Sequence, residues 1–325
     1  MDGKNILVTG GCGFIGSAFL NYMLPKYRAT KFVNLDRLDY CAREKNIKWK
    51  YNNYIFIQGD ICDGYLVLKI LNQHNITHVI HFAAYSHVDN SFDNSVEFTI
   101  NNVVGTHRML EACRIWNRIE KIIHVSTDEV YGEIEEGTNM ETAILKPTNP
   151  YAATKAAAEM IVQSYQKSFK MPIIITRGNN VYGERQYPEK LIPKFITYLL
   201  NQEPLPIHGT GKSKRNFIHC NDVARAFEVI LLKGMIGEIY NIGSQDEFSV
   251  LEIASILKQK MSLIYPNRNY EHTYSEYVED RAFNDIRYSV DISKLALLGW
   301  KQEISWERGI LSTIKWYREH LEYFN

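Results

Sequence analysis

Four residues between positions 128 and 155, namely Asp128, Glu129, Tyr151 and Lys155, have the chemical types and the spacing that proton transfer requires. Thr127, Asp128 and Glu129 directly follow a strand-like apolar run, and Tyr151 and Lys155 lie downstream in a helix-forming segment. Residues four apart are neighbours on a helix, and a nearby ammonium group lowers the pKa of a phenol. The Tyr-x-x-x-Lys pair therefore predicts a tyrosine base whose pKa is lowered by the lysine. A pattern this short also occurs by chance on surface helices, so its weight depends on the rest of the chain.

The adjacent acids Asp128 and Glu129 suggest a second proton-transfer step. At the end of a strand the chain turns, so two neighbouring side chains can border one cleft, where their charges push the two pKa values apart. One carboxyl group then stays protonated as an acid while the other acts as a base. This division suits the elimination of water, in which a base takes a proton from carbon and an acid protonates the departing hydroxyl group. An isolated Asp-Glu pair is more often a solvated acidic turn.

A glycine motif near the start of the chain predicts a dinucleotide site. The apolar run 5–9 is typical of a buried parallel strand, residues 17–27 are typical of a helix, and glycines with the spacing G-x-x-G-x-x-G lie between them. Such glycines allow a tight turn and let the backbone approach a pyrophosphate at the start of the helix. The residues expected to contact the cofactor in this turn are Gly10, Gly13, Phe14, Ile15 and Gly16.

The ends of the following strands supply the rest of the predicted cofactor site. Asp36 ends the run 31–36, about 20 residues past the last motif glycine, where an acid accepts hydrogen bonds from the adenosine ribose. A carboxylate there repels a 2′-phosphate, which favours NAD over NADP, although the neighbouring Arg37 softens this preference. The alternative for Asp36 is an ordinary turn residue at a strand end. At the ends of the next two strands lie the other residues expected at the cofactor, namely Asp60, Ile61, Ala83 and Ala84.

Strand-like and helical segments alternate up to residue 178, which predicts an α/β fold. We expect a Rossmann-like, doubly wound parallel sheet with a smaller C-terminal substrate-binding domain. The cofactor domain is predicted to comprise residues 1–178 plus about 216–245. The smaller domain, about 179–215 and 246–325, is expected to cap the carboxyl edge of the sheet, where ligands of such folds bind. We expect a polar loop at 178–183 and irregular structure at 204–215.

Composition is that of an ordinary globular protein and argues against several functions. The formal net charge is zero, so no global field favours nucleic acid or an anionic membrane. No apolar run approaches the length of a membrane span. The five cysteines are scattered without metal-type spacing, which favours reduced thiols, a cytoplasmic location and no metal site.

Together these residues resemble the extended short-chain dehydrogenase/reductase family, and within it the nucleoside-diphosphate-glucose 4,6-dehydratases. The family signs are the glycine motif and the Tyr-x-x-x-Lys pair. The dehydratase signs are the runs STDEVYG (126–132), SHVDNS (86–91), PEKLIP (188–193) and NDIRY (284–288). The resemblance covers essentially the whole chain. The Thr-Asp-Glu run is the discriminating motif, because the related UDP-galactose 4-epimerases usually lack the acid pair.

The resemblance implies an NAD-dependent enzyme that converts a nucleotide-linked glucose into its 4-keto-6-deoxy product. It implies that Tyr151, assisted by Lys155 and Thr127, takes the proton of the 4-hydroxyl group. Glu129 then takes the proton from C5 and Asp128 protonates the departing 6-hydroxyl group. NAD is regenerated in each cycle. A catalytically idle NAD-binding protein, the alternative of a different class, has no need to keep all five residues.

The substrate side of the site follows from the same resemblance and from charge. Arg215 and Arg281 can clamp a second diphosphate, because guanidinium groups bind such oxygens in pairs. The full set of residues expected at the substrate is Ser86, His87, Asn180, Glu189, Lys190, Leu191, Pro206, Ile207, Arg215, Arg281 and Asn284.

Finer features favour one nucleotide without deciding it. The runs 87–92, 177–183 and 204–209 look closest to the dehydratase part of plant-type UDP-rhamnose synthases, and Asn284 stands where bacterial dTDP-glucose enzymes tend to have a histidine. This favours UDP-glucose, with dTDP-glucose or UDP-sugar 4-epimerisation as alternatives. Tyr85 departs from the Glu or Gln usual in the family and is expected to place a larger ring near the nicotinamide.

The resemblance also implies partners. Proteins of the family commonly form homodimers, through helices expected here near residues 101–117 and 151–169. The product is expected to pass to a separate epimerase or reductase, on the way to a 6-deoxy sugar such as rhamnose.

Overall fold

Seven apolar strands form one parallel sheet, which confirms the predicted fold class. The computed structural model describes residues 1, 3–48, 51–268 and 270–324. The strands of the large sheet are β1 (Asn5–Thr9), β2 (Lys31–Asp36), β3 (Tyr54–Gln58), β4 (His78–His81), β5 (Lys121–Thr127), β6 (Ile173–Gly178) and β10 (Ile239–Ile242). Their order is β10-β6-β5-β4-β1-β2-β3, so the direction of winding reverses beside β1. In such sheets ligands bind at the carboxyl ends of the strands next to that reversal.

Helices cover both faces of this sheet. The α-helices are α1 (Phe14–Lys26), α2 (Gly64–Gln73), α3 (Val88–Asp93), α4 (Ser95–Thr99), α5 (Gly105–Trp116), α6 (Pro150–Phe169), α7 (Leu191–Asn201), α8 (Cys220–Lys233), α9 (Val250–Ile264), α10 (Ser293–Leu297) and α11 (Trp306–Glu319). Because strand side chains alternate between faces, Ile6 packs against α1 and α8 while its neighbour Leu7 packs against α2, α5 and α6. None of the helices among the described residues is long and apolar enough to cross a bilayer.

The smaller part of the chain has its own apolar cluster. Side chains of α7, α9 and α11 form it, and two small sheets border them. The strands of these sheets are β7 (Asn180–Tyr182), β8 (Leu205–His208), β9 (Lys214–His219), β11 (Glu247–Ser249) and β12 (Ser275–Val278). One sheet has the order β11-β9-β7 and the other pairs β12 with β8. The division into two domains at the expected boundaries stays a prediction.

Three local predictions differ from the structure. The expected loop at 178–183 contains β7, and the expected irregular stretch at 204–215 contains β8 and the start of β9. These strands pair with segments that are distant in sequence, so their own polar composition does not mark them. The helix expected from residue 101 begins as a π-helical turn (Ile100–Val104) before α5.

Candidate active site

A cavity of about 450 Å³ opens where the strands of the large sheet end. The carboxyl ends of β1, β2, β4, β5 and β6 all contribute to its wall, as expected for ligand sites of doubly wound folds. From the smaller part of the chain come Pro206, His208, Arg215 and Arg281. The two sets of predicted ligand-binding residues therefore share one cavity.

Every residue predicted at the cofactor lines this cavity, as does every residue predicted at the substrate except Ile207. Ile207 is fully buried in the apolar cluster of the smaller part, whereas its neighbours Pro206 and His208 line the cavity. Successive residues of a strand point to opposite faces, so all three cannot face one ligand. The prediction for Ile207 is corrected accordingly, because its side chain points away from the cavity that His208 lines.

The glycine turn after β1 leaves no room for a side chain. Gly10 has a φ of +71°, and a Cβ atom there would lie 2.6 Å from the backbone nitrogen of Ala83. Gly13 precedes α1 directly, and the first backbone N–H groups of a helix have no partners within it. A close backbone with free N–H groups fits the pyrophosphate of a dinucleotide.

The acid at the end of β2 is held by the backbone. Asp36 accepts hydrogen bonds from the backbone nitrogens of Cys12 and Leu38, both at 2.8 Å. Burial raises its pKa, and these two N–H groups oppose the rise. Arg37 is paired with Asp39 at 2.6 Å and with Asp60 at 3.1 Å. This guanidinium group is thus already paired with two carboxylates, which supports the expected preference against a 2′-phosphate.

Tyr85, the departure from the family pattern, packs between Arg37 and Phe98. Its ring stands 4.5 Å from the guanidinium carbon of Arg37 and 5.1 Å from the ring of Phe98. Its backbone N–H and C=O both bond the side-chain amide of Asn102, at 2.8 and 3.0 Å. Tyr85 lines the cavity beside Arg37, and the expectation of its ring near the nicotinamide stays a prediction.

Helix α6 brings the predicted base and its lysine to the cavity. Asn149 caps the helix, accepting from the backbone nitrogen of Ala152 at 2.8 Å, and Pro150 occupies the first turn. Tyr151 and Lys155 then lie on the same face, and both line the cavity. The Lys155 ammonium group donates to the carbonyl oxygen of Val125 at 2.6 Å.

The pKa of Tyr151 departs from its ordinary value in the direction opposite to the prediction. Burial and the charge of Glu129 raise it, and a hydrogen bond with Thr127 lowers it only in part. Lys155 does not counter this rise, because its ammonium group is directed at a backbone carbonyl. Burial also lowers the pKa of Lys155 to about 8. Tyr151 is therefore a neutral phenol, and it must lose its own proton before it can accept one from a substrate.

The acid pair lies on a short 3₁₀ turn (Asp128–Tyr131) at the end of β5. Glu129 lines the cavity and accepts from the Nδ2 atom of Asn149 at 3.0 Å. Asp128 is 3% exposed and is absent from the described residues that line the cavity. Its Oδ2 atom accepts from the Nδ2 atom of Asn179 at 2.7 Å, and its Oδ1 atom accepts from the Thr127 hydroxyl at 3.2 Å. The expectation that both acids border the cleft is correct for Glu129 only.

Both carboxyl groups bind protons more readily than free ones. Burial and the charge of Glu129 raise the pKa of Asp128 to about 7. Burial also raises the pKa of Glu129, against the hydrogen bond from Asn149 and the charges of Arg215 and Lys190. Near neutral pH the Asp128 carboxyl can therefore both hold and release a proton, as a general acid must.

Cationic side chains line the substrate part of the cavity. The Arg215 guanidinium group lies 4.6 Å from the ring centre of Tyr288, and Arg281 lies 3.5 Å from the carboxylate of Asp89. Lys190 donates to the backbone oxygen of Ser86 at 2.7 Å. Arginine and lysine side chains of this kind can bind the oxygens of a diphosphate.

Several residues that shape the site were not among those predicted from the sequence. Asn149 and Asn179 each fix one acid of the pair. Asp285 also lines the cavity, accepts from the Thr148 hydroxyl at 2.6 Å and bonds the hydroxyl group of Tyr288. Asp285 and Tyr288 belong to the run 284–288, which supported the resemblance. The motif therefore marked these two residues, although no role was predicted for either of them from the sequence.

A dinucleotide turn, a Tyr-x-x-x-Lys helix and an acid pair in one cavity define a Rossmann-fold enzyme of the short-chain dehydrogenase/reductase type. Residues 7–313 match the family described as GDP-mannose 4,6 dehydratase, and the chain belongs to this family. The resemblance inferred from the sequence is thereby confirmed.

Three relatives place the chain within that family. It is 49% identical over 326 residues to an Arabidopsis thaliana protein named trifunctional UDP-glucose 4,6-dehydratase/UDP-4-keto-6-deoxy-D-glucose 3,5-epimerase/UDP-4-keto-L-rhamnose-reductase. That match covers 99% of this chain and 48% of the plant protein, so the chain spans about half of that relative's length. The human dTDP-D-glucose 4,6-dehydratase is 47% identical over 319 residues, covering 98% of this chain and 91% of the human protein. The crystal structure of the dTDP-glucose 4,6-dehydratase DesIV from Streptomyces venezuelae, with NAD and TYD bound, superposes with a TM-score of 0.92. It has 36% identity and covers 99% of this chain and 100% of that one.

Proposed function

We propose that the chain is an NAD-dependent nucleoside-diphosphate-glucose 4,6-dehydratase, with UDP-glucose as its preferred substrate. The observation that carries this proposal is the acid pair beside the Tyr-x-x-x-Lys helix. Oxidation at C4 alone needs only one base, and 4-epimerisation has no task for a second and third proton-transfer group. Elimination of water between C5 and C6 needs both an acid and a base.

NAD fits the residues at the end of β1. A side chain at position 10 would fill the space that the pyrophosphate needs. Asp36, at the end of β2, has the position of the acid that binds the ribose hydroxyls in dinucleotide folds. When bound, NAD supplies the oxidant for C4, which is regenerated when C6 is reduced. Relatives crystallised with NAD, such as DesIV, agree with this assignment.

The protein's own residues move the protons. Tyr151 accepts the proton of the 4-hydroxyl group, and the resulting ketone makes the hydrogen at C5 acidic. Glu129, which faces the cavity and is oriented by Asn149, takes that hydrogen as a proton and later returns it to C5. Asp128 supplies the proton with which the 6-hydroxyl group departs as water. Arg215 and Arg281 hold the diphosphate.

UDP-glucose and dTDP-glucose are the two candidate substrates. The plant relative named for UDP-glucose and the human relative named for dTDP-glucose are almost equally similar to this chain. The choice of UDP-glucose rests on the sequence runs shared with the plant-type enzymes and on Asn284. Asn284 lines the cavity and its Oδ1 atom lies 3.5 Å from the Arg215 guanidinium group.

The homodimer and the transfer of product to a later epimerase or reductase belong to the proposal too. Exposed apolar side chains on the helices expected at the dimer contact support it: Val104, Ile115, Met160 and Phe169. Light scattering after gel filtration tests the dimer, and a monomer at micromolar concentration would count against it.

The reaction is tested with the purified protein and each nucleotide sugar separately, with and without added NAD. We expect loss of water by mass spectrometry and the alkali-induced absorbance of a 4-keto-6-deoxy sugar, with a higher kcat/KM for UDP-glucose. A higher kcat/KM for dTDP-glucose would reverse the nucleotide assignment and keep the reaction. Absence of product from both sugars, with NAD present, would refute the dehydratase, and a C4 epimer of unchanged mass would identify an epimerase.

A further inference from the structure

Asp285 is a third carboxyl group in the cavity, and the proposed reaction gives it no task. It is 3% exposed and lines the cavity together with Glu129. Its Oδ1 atom accepts from the Thr148 hydroxyl at 2.6 Å, and its Oδ2 atom accepts from the Tyr288 hydroxyl. Two hydroxyl groups therefore donate to the two oxygens of one buried carboxylate, and such charge-assisted bonds hold all three side chains in place.

The bond from Thr148 leads to the base. Thr148 directly precedes Asn149, whose Oδ1 atom accepts from the backbone nitrogen of Ala152 at 2.8 Å. Because a backbone nitrogen can only donate, the NH₂ group of this amide is the one that faces Glu129, at 3.0 Å from Oε2. The bond between Thr148 and Asp285 therefore fixes the backbone next to the amide that orients the base.

The bond from Tyr288 leads to the arginine expected at the diphosphate. The Tyr288 ring is buried, and its centre lies 4.6 Å from the guanidinium carbon of Arg215. At this distance a cation and an aromatic face attract each other. The backbone nitrogen of Lys214 also donates to the oxygen of Ile286 at 2.8 Å, which ties the start of β9 to the same segment. By holding the Tyr288 hydroxyl, Asp285 also fixes the ring against which Arg215 rests.

Electrostatic effects on the base agree with this arrangement. Burial raises the pKa of Glu129, and the charge of Asp285 adds to the rise. The charge of Arg215 acts on the same carboxyl group in the opposite direction. Glu129 therefore lies within the field of both groups, and a displacement of either one changes how readily the base takes a proton.

The segments that Asp285 joins are also held together away from the cavity. The backbone nitrogen of Ile134 donates to the oxygen of Arg287 at 3.1 Å. The carboxylate of the exposed Glu133 accepts from the backbone nitrogen of Ile286 at 3.2 Å. Because these bonds join the same two segments, their association does not depend on Asp285 alone. The two bonds of Asp285 therefore act chiefly on the groups that face the cavity.

We propose that Asp285 is a positioning residue for proton removal at C5, because it connects the diphosphate-binding arginine to the base. The inference rests on the proposed dehydratase function. A diphosphate bound by Arg215 fixes that side chain over Tyr288. The two hydrogen bonds of Asp285 carry this constraint to Thr148, and hence to the amide that orients Glu129. Asp285 itself exchanges no proton with the substrate.

The test separates oxidation at C4 from proton removal at C5, with the nucleoside-diphosphate glucose that the wild type accepts, at saturation. Single-turnover experiments in heavy water follow absorbance at 340 nm for the first step, and deuterium at C5 and loss of water for the second. Thr148→Val and Tyr288→Phe each remove one hydroxyl group and keep the shape of the side chain. Asp285→Asn leaves one acceptor oxygen for two hydroxyl groups. Thr148→Ser is the conservative control, and Glu133→Ala removes a bond that joins the same segments at the surface.

The three variants of the connection should share one selective defect. We expect Thr148→Val, Tyr288→Phe and Asp285→Asn to remove the C5 proton about tenfold or more slowly than the wild type, and to oxidise C4 within about twofold of its rate. Thr148→Ser and Glu133→Ala should match the wild type in both steps. The double variant Thr148→Val/Tyr288→Phe should be at most about twofold slower than the slower single variant, since both hydroxyl groups act through one carboxylate.

Three results would overturn the inference. Equal slowing of both steps, or a raised KM with unchanged rates, would show a general effect on substrate binding. Effects that multiply in the double variant would show that Thr148 and Tyr288 act independently. A Glu133→Ala protein as slow at C5 as Thr148→Val would assign the effect to the association of the two segments. The two hydroxyl variants keep the test decisive if Asp285→Asn does not fold. A wild type that forms no 4-keto product from any nucleotide glucose would instead refute the proposed function itself.

Discussion

Replacing Glu129 by glutamine isolates the carbon–hydrogen step from the rest of the reaction. The Glu129 Oε2 atom accepts from Asn149 at 3.0 Å, and a glutamine oxygen of the same size can accept the same bond. Burial raises the pKa of this carboxyl group, so removing the charge does not leave the protein less stable through lost solvation. We expect the melting temperature to change by no more than about 4 °C, the equivalent of about 1 kcal/mol.

The kinetic effect should be large and confined to one step. A positioned general base contributes about 10²–10⁴-fold, which corresponds to about 3–5 kcal/mol of transition-state stabilisation. Because the charge of Glu129 raises the pKa of Tyr151, its removal should leave C4 oxidation intact and extend it to lower pH. The variant should therefore oxidise the sugar and stop before elimination.

Rapid mixing with detection at 340 nm, together with mass analysis of quenched samples, measures both steps. We expect stable 340 nm absorbance, no loss of water, and no deuterium at C5 after incubation in heavy water. Glu136→Gln, an exposed acid of the same loop, is the matched control and should behave as the wild type. Turnover of Glu129→Gln within about tenfold of the wild type, or normal deuterium exchange at C5, would remove Glu129 as the base.

Three further predictions concern the cofactor turn, pH and the buried ion pair. Gly10→Ala should lose bound NAD on gel filtration, because its Cβ would meet backbone at 2.6 Å. Gly137→Ala, at a similar φ of +76° with open space around it, should keep the cofactor; equal retention by both would refute the steric argument. Asp128 has its pKa raised to about 7, chiefly by burial, above the value of about 4 in the unfolded chain, so its contribution to stability is present at low pH and lost as the pH rises through 7. Urea unfolding should therefore show that the wild type loses free energy of unfolding between pH 5 and pH 8, and that Asp128→Asn loses up to about 3 kcal/mol less. Identical losses in the two proteins would contradict the raised pKa. Glu159→Gln should cost about 3–5 kcal/mol in the same assay, because it leaves the buried guanidinium group of Arg177, paired at 2.7 Å, without its counter-charge. A loss of unfolding free energy below about 1 kcal/mol would show that this buried pair contributes no more than an exposed salt bridge.

The sequence predicted the large sheet well because its strands are apolar runs bounded by turns. Runs such as 5–9 and 31–36 appear as strands with the expected limits, since strands buried on both faces need no partner-specific signal. The small sheets were missed for the opposite reason. The strand that begins at Lys214 pairs with the segments 247–249 and 180–182. Local composition does not predict pairing between segments that are distant in sequence.

Within the site, the sequence predicted residue types better than their contacts. The glycine turn, Asp36 and the Tyr-x-x-x-Lys pair are local patterns, and all of these residues line the cavity. The direction of the Lys155 ammonium group depends on the carbonyl of Val125, on a different element. The position of Tyr85 depends likewise on Arg37 and Asn102. Contacts between elements decide pKa values and ring positions, so they could not be read from motifs.

The 3₁₀ turn after β5 explains how two adjacent acids come to serve different purposes. It directs Glu129 into the cavity, where Asn149 orients it and where it can meet a carbon-bound hydrogen. It directs Asp128 into the protein, where Asn179 and Thr127 hydrogen-bond its two carboxyl oxygens. Burial and the charge of Glu129 raise the pKa of Asp128 to about 7, so this carboxyl group can hold a proton near neutral pH. We therefore expect the proposed division between acid and base to follow from the different surroundings of the two carboxyl groups rather than from the difference between Asp and Glu.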